Sequence, residues 1–194
     1  MTTVVLASRN EHKLRELRAL LPGLTIEPLA RDDFPPEDAT TFYENARAKA
    51  LFARDIAGGW VLGEDSGLAV DALDGAPGLR SARYAGENAT DADNVARLLA
   101  ELRGVAPAAR GAHYVSELVC LAPDGTEQRG TGLLAGRIVE SPRGTEGFGY
   151  DPVFVPDGEE RTVAELGNAW KAHNSHRARA AQALLEALAR DARV

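Results

Sequence analysis

Apolar positions fall into short β-branched runs that alternate with stretches of helical spacing, a pattern expected where strands hand over to helices. Val4 to Ala7 is one such run; it passes into the polar segment SRNEHK and then into Leu14, Leu17, Leu20 and Leu21, which recur at helical spacing. A second helix is predicted over about Thr41 to Ala57. Thr41 and Glu44 have capping-box spacing, Phe42, Ala46, Ala50, Ala53 and Ala57 share a face, and Gly58 and Gly59 stop the run. Trp60 to Leu62 reads as a buried strand ending at the acidic GEDSG of residues 63 to 67, with Leu68, Val70 and Leu73 suggesting continuation before GAPG. A third helix starts at Thr90, carries Val95, Leu98, Leu99 and Leu102 as its stripe, and stops near Gly104.

Between Ala112 and Val139 two β-rich runs flank PDGT at residues 123 to 126, where Pro, Asp and Gly suit a tight turn, so a hairpin with long arms is expected. After a glycine-rich stretch at 144 to 149 comes the apolar run Pro152 to Val155. A last helix from about Ser175 carries Ala178, Ala181, Leu184, Leu185 and Leu188. Without repeats, low-complexity segments or linkers, this order predicts an α/β protein: a mixed sheet flanked by helices, in a single domain over residues 1–194.

Composition narrows the function classes. With 44% hydrophobic and 26% charged residues, the 194-residue chain can bury one substantial core and has the length to organise it as two lobes. Its 29 acidic against 22 basic side chains give a formal charge of -7, which disfavours nucleic acid as a partner but leaves a small phosphorylated ligand possible. The one cysteine, Cys120, excludes an intrachain disulfide and is read as a buried core thiol. No apolar run approaches the roughly 18 residues of a membrane span, and no leader pattern opens the chain, so the cytoplasm is the expected location.

Several segments carry candidate chemistry. In SRNEHK, at a strand-to-helix junction, helix-start N–H groups together with Ser8, Asn10 and Lys13 could converge on a phosphate; equally, Asn10 could only cap the helix. Glu64 and Asp65 follow a strand between Gly63 and Gly67, and hard oxygen ligands suit Mg2+. Glu37 and Asp38 precede the second helix, where acids also simply favour a helix N-terminus. Asn45 and Lys49 stand four apart on one helix face, so both could reach a cleft. Lys171 precedes Ser175, His176 and Arg177 at the start of the last helix, and the glycines around Phe148 in GFGYD would leave its ring open to a planar base. No GxGxxG, Walker, GxSxG or HExxH pattern supports a rival chemistry.

Taken together, VVLASRNEHKLREL, TFYENARAKA, GEDSGLAVDAL, GAPGLRSARYAG, GFGYDPVF and Lys171 with SHR resemble, in order and over nearly the whole chain, the inosine triphosphate pyrophosphatase family. The resemblance implies an elongated mixed α/β protomer of two lobes with a central substrate cleft, assembled as a homodimer. It implies Mg2+-dependent hydrolysis of ITP, dITP and XTP to the monophosphate and pyrophosphate. It casts Ser8, Arg9, Asn10, Glu11, His12 and Lys13 as the triphosphate loop, Asp65 as catalytic base and metal-site acid, and Glu37 as a second metal-site acid, with Glu64 a further candidate ligand. Ser66, Lys49, Phe148, Gly149, Tyr150, Asp151, Lys171, Ser175, His176 and Arg177 are similar to its substrate-binding positions. Donors in the Ser175–Arg177 segment would donate to the oxygen at C6 of hypoxanthine or xanthine and reject adenine's amino group.

Two departures stand out: Glu64 where the family often has aspartate, and Ser8-Arg9-Asn10 where it often has Thr-Gly-Asn. Two other readings stay open. One is a Maf-like pyrophosphatase for modified pyrimidine nucleotides, which the SHR and GFGYDP segments disfavour. The other is a catalytically silent purine sensor, against which stand Asp65, Glu37 and the three candidate lysines.

Overall fold

A computed structural model describes residues 2–31 and 33–191. Six strands, β1 (Thr2–Ala7), β2 (Leu24–Pro28), β3 (Trp60–Val70), β4 (Gly111–Leu121), β5 (Glu127–Ile138) and β6 (Phe154–Pro156), form a mixed sheet in the order β2-β1-β3-β4-β5-β6. β1 runs parallel to β2 and to β3, with Val4 opposite Ile26 and Trp60, while β6 is antiparallel to β5. Five helices flank it: α1 (Glu11–Leu20), α2 (Phe42–Ala57), α3 (Asp91–Glu101), α4 (Val163–Asn174) and α5 (His176–Asp191). The chain divides into two compact units, the first Met1–Asp65, Ser116–Gly132 and His176–Val194, the second Ser66–Val115 and Leu133–Ser175.

In the first unit the period-two alternation of strand side chains sorts the core into two layers. Val4 and Leu6 of β1, Leu62 of β3, and Leu118 and Cys120 of β4 pack with Leu14 and Leu17 of α1 and Ala180, Ala181 and Leu184 of α5. The intervening residues Ala7, Val61, Val119 and Leu121 pack with Ala46, Ala50 and Ala53 of α2. Both faces are buried, so these strands read as continuous apolar runs rather than as alternating ones. Burial pushes the Cys120 thiol up to about 12.

Glycines let the helices lie against the sheet backbone. A Cβ on Gly63 would stand 1.9 Å from the Ala46 carbonyl oxygen of α2. On β5, a Cβ at Gly130 would meet the Ala180 oxygen at 2.1 Å, and one at Gly132 the His176 oxygen at 1.9 Å, so alternate positions of that strand are cleared for α5.

The second unit has its own core. Leu68 and Val70, Ala112 and Tyr114, Leu134 and Ile138 come from the other halves of β3, β4 and β5. They pack with Val95, Leu98 and Leu102 of α3, Phe154 of β6 and Val163 of α4. Tyr114 and Phe154 meet at 4.7 Å between ring centres.

The predicted elements are present with shifted ends. Two were not predicted: β2, five residues long and largely exposed, and α4, whose pattern is interrupted by Gly167 with φ 86°. The Pro152–Val155 run becomes strand only from Phe154. Glu44 does not complete the expected box with Thr41: Thr41 caps the Glu44 N–H, but the Glu44 carboxylate accepts from the Thr40 N–H and hydroxyl. Ala57, expected on the buried face of α2, is exposed, because the helix ends there at Gly58.

Gly63→Ala is expected to destabilise the protein by at least about 3 kcal/mol in urea unfolding, the upper range for overpacking a close-packed contact, because the methyl meets backbone that no rotamer can clear. A change below about 1 kcal/mol would show that α2 does not lie this close to β3.

Candidate functional site

β1 ends at Ala7, and the chain turns through Ser8 and Arg9 into α1. Asn10 is the N-cap: its side-chain oxygen accepts from the His12 N–H at 2.9 Å and the Lys13 N–H at 3.1 Å. Asn10 therefore does cap the helix, and those two amides are satisfied internally. The Ser8 hydroxyl accepts from the Asn10 N–H at 3.2 Å, and His12 Nδ1 lies 2.7 Å from an Arg15 nitrogen. Arg9 holds its guanidinium over the Phe34 ring, 5.8 Å from its centre, and Glu11 is exposed on the first turn.

Lys13 points to Glu64, its Nζ 2.6 Å from Oε2. The other Glu64 oxygen accepts from Arg177 Nε and Nη2 at 3.2 and 2.9 Å, and Arg177 Nη1 donates to Glu16 at 2.5 Å. Burial disfavours the Glu64 charge, yet Lys13 and Arg177 outweigh it and hold the carboxyl far below its ordinary range. Burial likewise works against the Arg177 charge, but Glu64 and Glu16 raise its pKa.

The neighbouring side chain faces a different environment. Asp65 accepts from Asn45 at 3.1 Å through one oxygen and from Lys49 at 3.2 Å through the other. The expectation that Asn45 and Lys49 share a face is met, and that face is turned inward onto β3. Lys49 also ion-pairs with Glu37 and donates to the Glu64 carbonyl at 3.2 Å. Burial raises the Asp65 pKa; Lys49 and Lys13 pull the other way, while Glu37 and Glu64 add to the rise. The ammonium that would hold Asp65 ionised is shared with Glu37, so burial prevails. For Lys49, burial opposes the charge and the two carboxylates restore it, leaving its pKa raised.

Two carboxylates, Glu37 and Asp65, thus converge on one cation. Among the described residues no cluster of three or more His, Cys, Asp or Glu is arranged to hold a metal. Mg2+ needs no such cage, since it commonly takes one or two carboxylates and completes its shell with water and substrate phosphate. Glu37 and Asp65 fit that donor set, and the ammonium between them marks a place where positive charge is favoured. Glu64 fits less well, with both oxygens already matched to cations.

In the second unit the GFGYD segment is tied by carboxylates. Asp151, buried, accepts from the Phe148 N–H at 2.9 Å, from Lys171 Nζ at 2.7 Å and from the Tyr114 hydroxyl at 3.4 Å. Gly147, at φ 82°, has no room for a Cβ against that carboxylate. Lys171 Nζ lies 4.4 Å from the centre of the Phe148 ring, so one ring face is covered by a cation. The Gly149 N–H donates to Asp91 at 2.7 Å. Tyr150 is a core residue whose hydroxyl donates to the Ser81 carbonyl at 2.8 Å. Ser66 is half-buried; Ser175 and His176 are buried, and the Ser175 N–H closes α4 on the Lys171 carbonyl at 3.1 Å.

The sequence reading singled out neither Glu16 nor Asp91. Glu16 stands three residues after Lys13, a same-face spacing on a helix, which is the one signal that could have found it. Asp91 reads only as a helix-start acid, and nothing local points to a loop 58 residues away.

A family model described as the Ham1 family matches residues 4–187. The chain belongs to the Ham1 family. This Ham1 chain is 48% identical over 185 residues to a dITP/XTP pyrophosphatase of Geobacter sulfurreducens, covering 93% of each chain. It is 47% identical to one of Nocardia farcinica, covering 97% of this chain and 96% of the relative. Among solved structures, it resembles the Ham1 protein of Staphylococcus aureus with TM-score 0.87 and 34% identity over 99% of this chain and 100% of that one. A HAM1 protein from Coxiella burnetii gives TM-score 0.87 and 37% identity, covering 98% and 100%. The mixed six-stranded α/β fold is that of these Ham1 structures. No described helix of the Ham1 chain is long and apolar enough to cross a membrane.

Glu64→Gln, which leaves Arg177 and Lys13 with a neutral partner, is expected to lower stability at pH 7 by about 3–5 kcal/mol, the usual cost of breaking a buried ion pair. A depressed carboxyl stabilises the fold at pH above its unfolded value, so the wild-type advantage declines as pH falls below about 4.5 and vanishes below the folded value. Urea unfolding of both proteins from pH 7 to pH 3 checks this; a gap independent of pH would refute it.

Proposed function

We propose that this protein hydrolyses non-canonical purine nucleoside triphosphates, namely ITP, dITP and XTP, to the monophosphate and pyrophosphate, and so removes them from the nucleotide pool. The observation that carries the reading is a buried carboxylate of raised pKa, Asp65, beside two lysines and a second carboxylate. The curated relatives that share nearly the whole chain bear the name dITP/XTP pyrophosphatase.

Asp65 takes the proton from the attacking water. Its raised pKa brings a carboxylate closer to the range where a base still ionised at neutral pH accepts a proton readily. Glu37 and Asp65 would hold Mg2+, which when bound would supply charge neutralisation for the triphosphate. Lys49 balances both carboxylates and would supply a cation to the phosphates of a bound substrate. Lys13, at the start of α1, adds a second cation for the triphosphate; developing negative charge is best met by groups fixed beforehand.

Base recognition falls to the second-unit cluster and to the start of α5. Phe148 offers a ring for stacking, Lys171 a donor for an oxygen at C6, and Asp151 fixes both. Ser175 and His176 are further donors. Arg177 enters as the residue that braces Glu64, since its guanidinium is clamped between Glu64 and Glu16. The same reading includes a homodimer working in the cytoplasm, with no nucleic-acid partner, in keeping with the net charge of -7.

Incubation with ITP, XTP, GTP and ATP in Mg2+, with pyrophosphate and orthophosphate measured separately and EDTA controls, tests the reading. Pyrophosphate from ITP and XTP, at least about tenfold faster than from GTP or ATP, is expected. Orthophosphate release, or equal use of all four, would refute it. Asp65→Asn is expected to cut turnover at least about a hundredfold, within the usual contribution of a general base, while keeping the far-UV circular dichroism of the wild type. Near-full activity of that variant would remove Asp65 from its role.

A further inference from the structure

Glu16, Arg177, Glu64 and Lys13 form a chain of ion pairs of alternating charge within the first unit. Lys13 and Glu16 lie on α1, Glu64 on β3 and Arg177 on α5. The Arg177 fork grips one oxygen of Glu64 through two nitrogens at 3.2 and 2.9 Å and hands its remaining edge to Glu16 at 2.5 Å. That leaves the second Glu64 oxygen to meet Lys13 at 2.6 Å. The side chains of Glu64 and Arg177 retain 0% and 1% of their exposure, whereas Lys13 retains 16%. Of these three, Lys13 is the one placed to meet a ligand.

A lysine carries its charge on a flexible four-carbon stem and loses considerable rotamer freedom when it binds an anion. An anchored carboxylate that selects one rotamer beforehand removes part of that cost. We propose that Glu64 is a positioning residue that aims Lys13 at the phosphates, and that Glu16, through Arg177, keeps Glu64 in register. Triphosphate affinity is then set in part by a glutamate that touches no substrate. The inference rests on the reading of Lys13 as a phosphate ligand. It also gives the longer side chain at position 64 a purpose: a carboxylate one methylene shorter cannot hold the Arg177 fork and reach Lys13 together.

The test is pyrophosphate binding by calorimetry, with and without Mg2+, for the wild type, Glu16→Gln, Glu64→Asp, Lys13→Met and the Glu16→Gln/Lys13→Met double variant. Circular dichroism melts define a temperature at which all are folded. Glu16→Gln and Glu64→Asp are expected to weaken pyrophosphate binding about tenfold, within the coupling range of residues in one charge network. The KM for ITP should rise while kcat stays within about twofold and the preference for ITP over GTP is unchanged. In the Lys13→Met background, Glu16→Gln should add less than about twofold, because the side chain it acts through is gone. Wild-type affinity in Glu16→Gln, or full additivity of the two changes, would overturn the proposal. So would a Glu64→Asp variant that binds pyrophosphate normally in EDTA but needs more Mg2+, since Glu64 would then be a metal ligand. Wild-type protein that binds no pyrophosphate and hydrolyses no ITP would instead overturn the functional reading, and this inference with it.

Discussion

A carboxylate sealed from water must be neutralised by its neighbours, and in the first unit that requirement is met at Glu64. Desolvation works against its charge, but Lys13 from α1 and Arg177 from α5 outweigh it. Two helices far apart in sequence are thereby referenced to one point on β3. Breaking such an arrangement is costly because each member left behind is a buried charge, even where the intact network contributes little net stability over an apolar substitute. Its value lies in specifying where three side chains stand.

Asp65, one residue further along the strand, has the opposite balance. Its counter-ion Lys49 also serves Glu37, and the carboxylate is left less stabilised than its neighbour. Adjacent acids on one strand alternate in direction, so two environments a residue apart can hold one carboxyl below its ordinary pKa and raise the other above it. The second unit uses the same device once more, with Asp151 gathering an amide, an ammonium and a hydroxyl around the loop that carries Phe148.

Much of this was legible in the sequence. Long elements with a clear period, such as α2, α3, α5 and the β4–β5 hairpin, follow from spacing and caps, and the inward face of α2 follows from Asn45 and Lys49 standing four apart. What local pattern could not supply was partner choice. Nothing near Arg177 announces Glu64, 113 residues away, and an arginine beside His and Ser reads more readily as a ligand contact than as a strut. Likewise β2 is short and mostly exposed, so its apolar signal is reduced to Ile26, and α4 is interrupted by a glycine at positive φ. Tyr150, which the resemblance places among the substrate-binding positions, has its ring in the core and its hydroxyl on the Ser81 carbonyl, a partner 69 residues away that no local pattern announces.

The layer that holds α1 and α5 to the sheet also encloses the chain's single cysteine. With 1% exposure and its ionisation displaced to about 12, the Cys120 thiol offers oxidants and electrophiles almost no thiolate at neutral pH. Modification must wait until that layer separates, so the rate of its reaction with a small disulfide reagent counts openings of the first unit's interior. The molecule carries its own clock for that motion, at a single buried sulfur.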